Sequence, residues 1–202
     1  MKRYLLKLTK KAGLPPGTPI HIGPEHHDKT LISHVSYGSD ILKCTDVKDT
    51  KKIKVSKKEA LVNWLDVRSL QDSESINAIG KKFKIHSLVI EDIFNTVQLP
   101  KIEEHETHFF LIIKAISFSE GLLNFEHICL FFQDRLILSF QEKSSDTFKV
   151  VRDRILNQKG KIAEKEADYL LYALFDYVID TYFESLQKID NHISDLNNWN
   201  QS

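Results

Sequence analysis

The sequence predicts an α/β domain in which helices layer on both sides of a mixed, largely antiparallel sheet, followed by a long helical arm. Three observations point there. Residues 108–141 hold three apolar runs, HFFLIIKAISF, HICLFFQ and RLILSFQ, rich in β-branched and aromatic residues and split by short polar turns, as in an antiparallel meander. Helix-period segments flank that meander on both sides. Finally, Phe175, Ile179, Tyr182, Leu186, Ile189, Ile193 and Leu196 recur at spacings of 4, 3, 4, 3, 4 and 3, a heptad seam that calls for a partner helix.

Taken in order, the turn-rich segments from Gly13 to Pro19 and from Gly23 to Asp28 bracket a short strand at 20–22. LISHVSY (31–37) alternates at period two and predicts a strand, and LVNWLDV (61–67) predicts a more buried one. The lysine-rich stretch between them, Lys48 to Lys58, is expected to be a solvated loop. A helix then starts at Asp72 or Ser73 and runs through Lys82, loosened near its end by Gly80. A short amphipathic helix follows, with Ser87 as N-cap, Val89, Ile90, Ile93, Phe94 and Val97 inward, and Pro100 as terminator. Beyond the meander, SDTFKVVRDRILNQ predicts a capped helix beginning near Asp146. The compact unit is expected to end near residue 160, giving units at 1–160 and 161–202. The last helix, from about Lys165 to about Asn198, would be on the order of 50 Å long, long enough to project. A helix folded back over its own sheet is the other reading of that seam.

With 202 residues, 42% of them hydrophobic, the chain can bury one substantial core with an appendage, or two small ones, which argues against a disordered chain. Lysine plus arginine equals aspartate plus glutamate at 28 each, so no net charge favours nucleic acid or an anionic membrane. Cys44 and Cys129 lie in apolar stretches without CxxC spacing; buried thiols are the expectation, with a single disulfide as the other option. No signal peptide is evident, and no apolar run nears the roughly 20 residues of a membrane-spanning helix.

The residues that can carry chemistry are acids. Glu91, Asp92, Asn95 and Gln98 share the polar face of the short helix and offer hard oxygen donors suited to Mg2+ or Ca2+. Asp168, Asp176, Asp180 and Glu184 recur at multiples of four on the long helix, with no lysine or arginine interleaved on that stripe. A bound cation would neutralise either group; on pattern alone a solvated face is the simpler reading of the first, and explains the second as well as a cation does. His21, His26, His27 and Asp28 form a rival cluster for Zn2+ or Ni2+, in a loop whose simpler reading is an ordinary surface. His86, His105, His108 and His127 lie at element edges without an evident role.

IEDIFNTVQLPKIE (90–103) resembles a segment of the CorA family of magnesium and cobalt transporters. AGLPPGT (12–18), NWLDV (63–67), SFQEK (139–143), VRDRI (151–155) and ADYLLYALFD (167–176) match that family in the same order. The chain departs from the family at Leu99, usually a basic residue, and at Val97, often a histidine. The resemblance implies the soluble cytosolic, metal-sensing domain of a homopentameric divalent-cation channel, regulated by and transporting Mg2+, with Co2+ as a further cargo. It implies that Asp92 is the principal regulatory metal contact, shared with an acid on a later helix of the neighbouring subunit, and that this second acid is missing here. It places Glu91 and Asp176 at a second metal, with Asp180 one turn beyond Asp176. It implies two membrane helices and a Gly-Met-Asn signature beyond Ser202. The whole protein would then lie in the inner membrane with this domain on its cytoplasmic side, soluble and able to be monomeric without its anchor. A zinc-transporting member of the family is the alternative. A metal-dependent hydrolase built on Glu91, Asp92 and Asp176, and a scaffold assembled through the heptad helix, are the competing classes.

Overall fold

The computed structural model describes Gly13, Pro15 and residues 18–24, 27–38, 41–55 and 61–199. Most of AGLPPGT, His26, part of the lysine-rich loop and the last three residues lie outside the described residues.

Seven strands form one sheet: β1 (Leu31–Gly38), β2 (Ile41–Asp46), β3 (Val62–Arg68), β4 (Lys101–Glu104), β5 (Phe109–Ser119), β6 (Leu122–Gln133) and β7 (Leu136–Gln141). Their spatial order is β2-β1-β3-β7-β6-β5-β4. The expected meander is present as β5, β6 and β7, paired antiparallel. One pair is parallel, β3 with β7, which makes the sheet mixed and joins its two antiparallel halves. Among the described residues four α-helices flank the sheet: α1 (Ser73–Phe83), α2 (Ser87–Phe94), α3 (Lys149–Leu156) and α4 (Ala167–Trp199).

Side-chain alternation sends each strand's residues to opposite faces. On β3, Leu65 and Val67 join Ile76, Ile79, Val89, Ile93 and Phe94 in one core. Val62 and Trp64 join Val151, Ile155, Leu170, Leu174 and Val178 in the other. Helices α1 and α2 therefore cover one face and α3 and α4 the other, giving the three layers expected from sequence.

Both outer strands escaped sequence reading. β2 and β4 are the sheet edges, ILKCTD and KIEE, with mostly exposed side chains and no apolar alternation. Charged, short edges of this kind discourage pairing with other chains, and it is backbone pairing with β1 and β5 that makes them strands. The strand expected at 20–22 shrinks to one bridge, Ile22 with Asn95.

Helix boundaries shifted where tertiary contacts compete. Asp72 caps α1 as expected, accepting from Ser75 N at 2.9 Å. α2 is capped by His86 and not by Ser87: His86 Nδ1 accepts from Leu88 N at 3.3 Å. It ends at Phe94, well before Pro100, because Ile22 accepts from Thr96 N at 2.8 Å and donates to Phe94 O at 3.0 Å, drawing the chain out of the helix. That approach requires glycine at 23, where a Cβ would lie 1.8 Å from Thr96 Oγ1. α3 begins at Lys149 without a side-chain cap. Asp146 is taken instead by Arg68 Nη1 at 2.9 Å and Arg152 Nη1 at 2.5 Å. Both cysteines are free; Cys129 is buried as expected but Cys44 is exposed on edge strand β2, so neither a disulfide nor two buried thiols is found.

Gly80 does not merely loosen α1. It is buried, and a Cβ there would lie 2.7 Å from Ile90 Cδ1, so the glycine lets α1 and α2 pack closely. Gly80→Ala should be near neutral, since a gain in helix propensity of about 1 kcal/mol offsets the shift asked of a flexible side-chain end. Gly80→Leu should destabilise by about 2–3 kcal/mol, because overpacking then exceeds what Ile90 can yield. Urea midpoints of the two variants check this; equal midpoints would refute the packing role.

Candidate functional site

The α2–β4 turn gathers the polar groups that the sequence set on one helix face. Asp92 sits in the last turn of α2 and is part-buried; Glu91 precedes it. Asn95 and Gln98 lie beyond the helix, not on it, yet the turn folds back so that Gln98 Nε2 donates to Asp92 Oδ1 at 3.3 Å and Asn95 Nδ2 to Gln98 Oε1 at 3.1 Å. The principal partner of Asp92 comes from β4: Lys101 Nζ lies 2.7 Å from Asp92 Oδ2 and 2.6 Å from Glu103 Oε1. Burial opposes the Lys101 charge, but its bonds to Asp92 and Glu103 outweigh this and hold its pKa above the ordinary lysine value. Lys101 in turn holds the Glu103 carboxyl below its usual range. A strand residue nine positions away is no helical neighbour of Asp92, so helix geometry gave no sign of this ammonium.

The turn is pinned to the sheet from beneath. Lys114 Nζ donates to Thr96 O at 2.6 Å and lies 3.1 Å from His127 Nδ1, while His127 Nε2 lies 3.1 Å from Cys129 Sγ. Burial pushes the His127 pKa down to about 3, with the Lys114 charge acting the same way, so the ring is a neutral spacer between the sheet and α2. Two other histidines given no role also have structural ones: the His105 and His108 rings stack at 4.4 Å, and His108 stacks on Phe131.

The acids of α4 are elsewhere. Asp168, Asp176, Asp180 and Glu184 are all exposed; Tyr172 Oη lies 3.4 Å from Asp176 Oδ1, and Lys188 Nζ bonds Glu184 at 2.5 Å. Helix α4 packs on the sheet face opposite α2, so the sheet separates Glu91 and Asp92 from Asp176 and Asp180 within one chain. Among the described residues no group of three or more His, Cys, Asp or Glu side chains is set to hold a metal ion; of the His21, His26, His27 and Asp28 cluster, His26 lies outside the described residues. His21 Nε2 bonds instead to Pro24 O at 2.8 Å. The oxygen donors at Asp92 have the hardness Mg2+ prefers, but one of them already holds an ammonium. One chain thus offers only part of a coordination shell.

The heptad seam divides in two. Phe175 and Tyr182 pack against the second core, the His192 ring meets Phe118 of β5 with centroids 5.6 Å apart, and the hydroxyl of Ser185 bonds Ile116 O at 3.1 Å. Beyond Ser185, Leu186, Ile193 and Leu196 are 62%, 51% and 47% exposed, so the half of the seam that could receive a partner is distal. No helix among the described residues is long and apolar enough to cross a membrane.

Comparison with known proteins agrees with this architecture. A family model described as CorA-like Mg2+ transporter protein matches residues 59–199. A protein of Thermotoga maritima named cobalt/magnesium transport protein CorA is 34% identical over 192 residues, covering 94% of this chain and 54% of that protein. The chain therefore spans about half the length of this curated relative. Among solved structures, the soluble domain of CorA from Methanocaldococcus jannaschii superposes with a TM-score of 0.62 at 17% identity, covering 83% of this chain and 63% of that one. The cytoplasmic domain of ZntB from Vibrio parahaemolyticus gives 0.57 at 14% identity, covering 82% of this chain and 62% of that one.

Proposed function

Because the chain belongs to the CorA family and has the fold of the CorA soluble domain, we propose that it is the cation-responsive regulatory domain of a divalent-cation transporter, with Mg2+ the regulatory ion. Its place is the cytoplasmic side of the inner membrane, below a pore supplied by other parts of the protein, with Mg2+ and Co2+ as cargo. One observation carries the reading. The two acidic groups, Glu91 with Asp92 and Asp176 with Asp180, lie on helices that cover opposite faces of the sheet, so only neighbouring subunits can bring them together.

In this reading Asp92 ranks first, then Glu91 and Asp176, then Asp180. A divalent cation between subunits would offset the repulsion of facing carboxylates and favour the closed arrangement by its higher affinity for it. Without it acid faces acid, the subunits loosen, and α4, anchored on the sheet through Ser185, carries the displacement along its exposed distal half as the arm of the domain. A ring of five copies, the assembly implied by the family, would cover the distal apolar seam with neighbouring helices. A two-metal hydrolase would need Glu91, Asp92 and Asp176 together in one chain, which the intervening sheet opposes. Likeness to ZntB supports the zinc alternative only at the level of fold.

Asp92→Asn in the full-length transporter should make flux insensitive to internal Mg2+ while leaving transport competent. Measured flux into vesicles loaded with Mg2+ decides the matter: inhibition unchanged from the wild type would defeat the assignment of Asp92.

A further inference from the structure

Lys101 holds two carboxylates at once, and one of them, Glu103, has no part in the cation reading. Residues 101 and 103 are two apart on β4, so their side chains leave the same side of the strand, the half-buried side that meets α2. There Lys101 Nζ lies 2.7 Å from Asp92 Oδ2 and 2.6 Å from Glu103 Oε1. The second oxygen of each acid is engaged differently. Asp92 Oδ1 accepts from Gln98 Nε2 at 3.3 Å, and Glu103 Oε2 faces the His105 ring, 3.8 Å from Nε2. Side-chain exposure falls from 34% at Glu103 through 28% at Lys101 to 19% at Asp92, so the bond to Asp92 is the more desolvated of the two and the harder to give up.

A divalent cation that takes Asp92 Oδ2 displaces that ammonium, and the cost depends on what Lys101 keeps. With Glu103 beside it the ammonium stays paired. Without Glu103 it would be left on a part-buried strand face with no carboxylate of its own and a dication close by. The two acids therefore pull the ammonium in opposite senses, Asp92 toward the place of the ion and Glu103 away from it.

We propose that Glu103 is a positioning residue for the cation response: it does not touch the ion, and it holds the Lys101 ammonium while the ion occupies Asp92. This inference rests on the reading of Asp92 given above. By its charge alone Glu103 would attract a dication whether or not Lys101 were present. Acting through Lys101, it has no effect on the ion once Lys101 is gone.

The test is a double-mutant cycle in the full-length transporter, read as the internal Mg2+ concentration that half-inhibits flux at fixed pH and ionic strength. Glu103→Gln should raise that concentration by roughly threefold to fivefold, the worth of one part-exposed ion pair. The same substitution in the Lys101→Met background should leave it unchanged to within about twofold. Asp92→Asn serves as the control on the cation reading: inhibition retained there would defeat that reading and this inference with it. If Asp92→Asn is insensitive while Glu103→Gln responds like the wild type, the role of Glu103 alone falls. An equal shift with and without Lys101 would show that Glu103 acts on the ion by charge alone, and would likewise overturn the proposal.

Discussion

Replacing Arg152 by Met is expected to destabilise the domain by about 3 kcal/mol, the low end of the cost of stripping one partner from a buried ion pair. Asp66 on β3 is fully buried. It accepts from Ser139 Oγ and Gln141 Nε2, each at 2.6 Å, and is paired with Arg152 from α3. Four groups that can donate, these three and Arg68 at 3.6 Å, converge on it, the environment of an ionised carboxylate. Arg152 also lies over the Trp64 ring, 5.4 Å from its centroid, so its loss removes packing as well as charge. Arg68 remains to compensate in part, which is why the low end applies. Urea unfolding measures the loss; a change under about 0.5 kcal/mol would show the pair to be dispensable.

The same variant carries a pH signature. Burial pushes the Asp66 carboxyl above the ordinary carboxylate range, and Arg152 is the largest influence pulling it back. A group with a raised folded pKa binds its proton more tightly in the native state, so its contribution to stability is full at low pH and lost as pH rises through that pKa. Removing Arg152 raises the folded value further. The deficit of Arg152→Met relative to wild type should therefore shrink as pH is lowered from neutral, as native Asp66 takes up its proton. Asp66→Asn in the Arg152→Met background should recover stability at neutral pH, since the stranded charge is gone.

Lys101→Met is expected to increase the Mg2+ sensitivity of the full-length transporter by about tenfold or more, the equivalent of one charge-assisted hydrogen bond. Lys101 Nζ sits 2.7 Å from the Asp92 oxygen proposed to meet the ion, as a cation tethered by the chain itself. An incoming Mg2+ must displace that ammonium or share the carboxylate with it. The half-inhibiting internal Mg2+ concentration should fall in Lys101→Met and vanish as a meaningful quantity in Lys101→Met/Asp92→Asn. A single variant with unchanged or weaker Mg2+ response would mean that Lys101 does not compete at Asp92.

The meander, the capped start of α1 and the long α4 were legible because each rests on local pattern: alternation, a side-chain cap, a run of helix-period apolar positions. The edge strands were not, since ILKCTD and KIEE have no buried face and owe their conformation to the backbone of β1 and β5. The end of α2 was misplaced for a similar reason: Pro100 is a local stop, but Ile22, 72 positions before Phe94, pairs with the chain first. At Asp146 a helix cap was expected where a surface residue of that type has one, while Arg68 and Arg152, from other elements, drew the carboxylate away.

By itself the sequence determined the layered α/β class, the family resemblance, and which carboxylates lie on which helices, because these follow from residue type and period. Only the tertiary structure decided what those carboxylates face. It put Lys101 on Asp92 and a seven-stranded sheet between Asp92 and Asp176. Neither could be read from spacing, for the physical reason that the partner of a charge is set by the path of the chain through space.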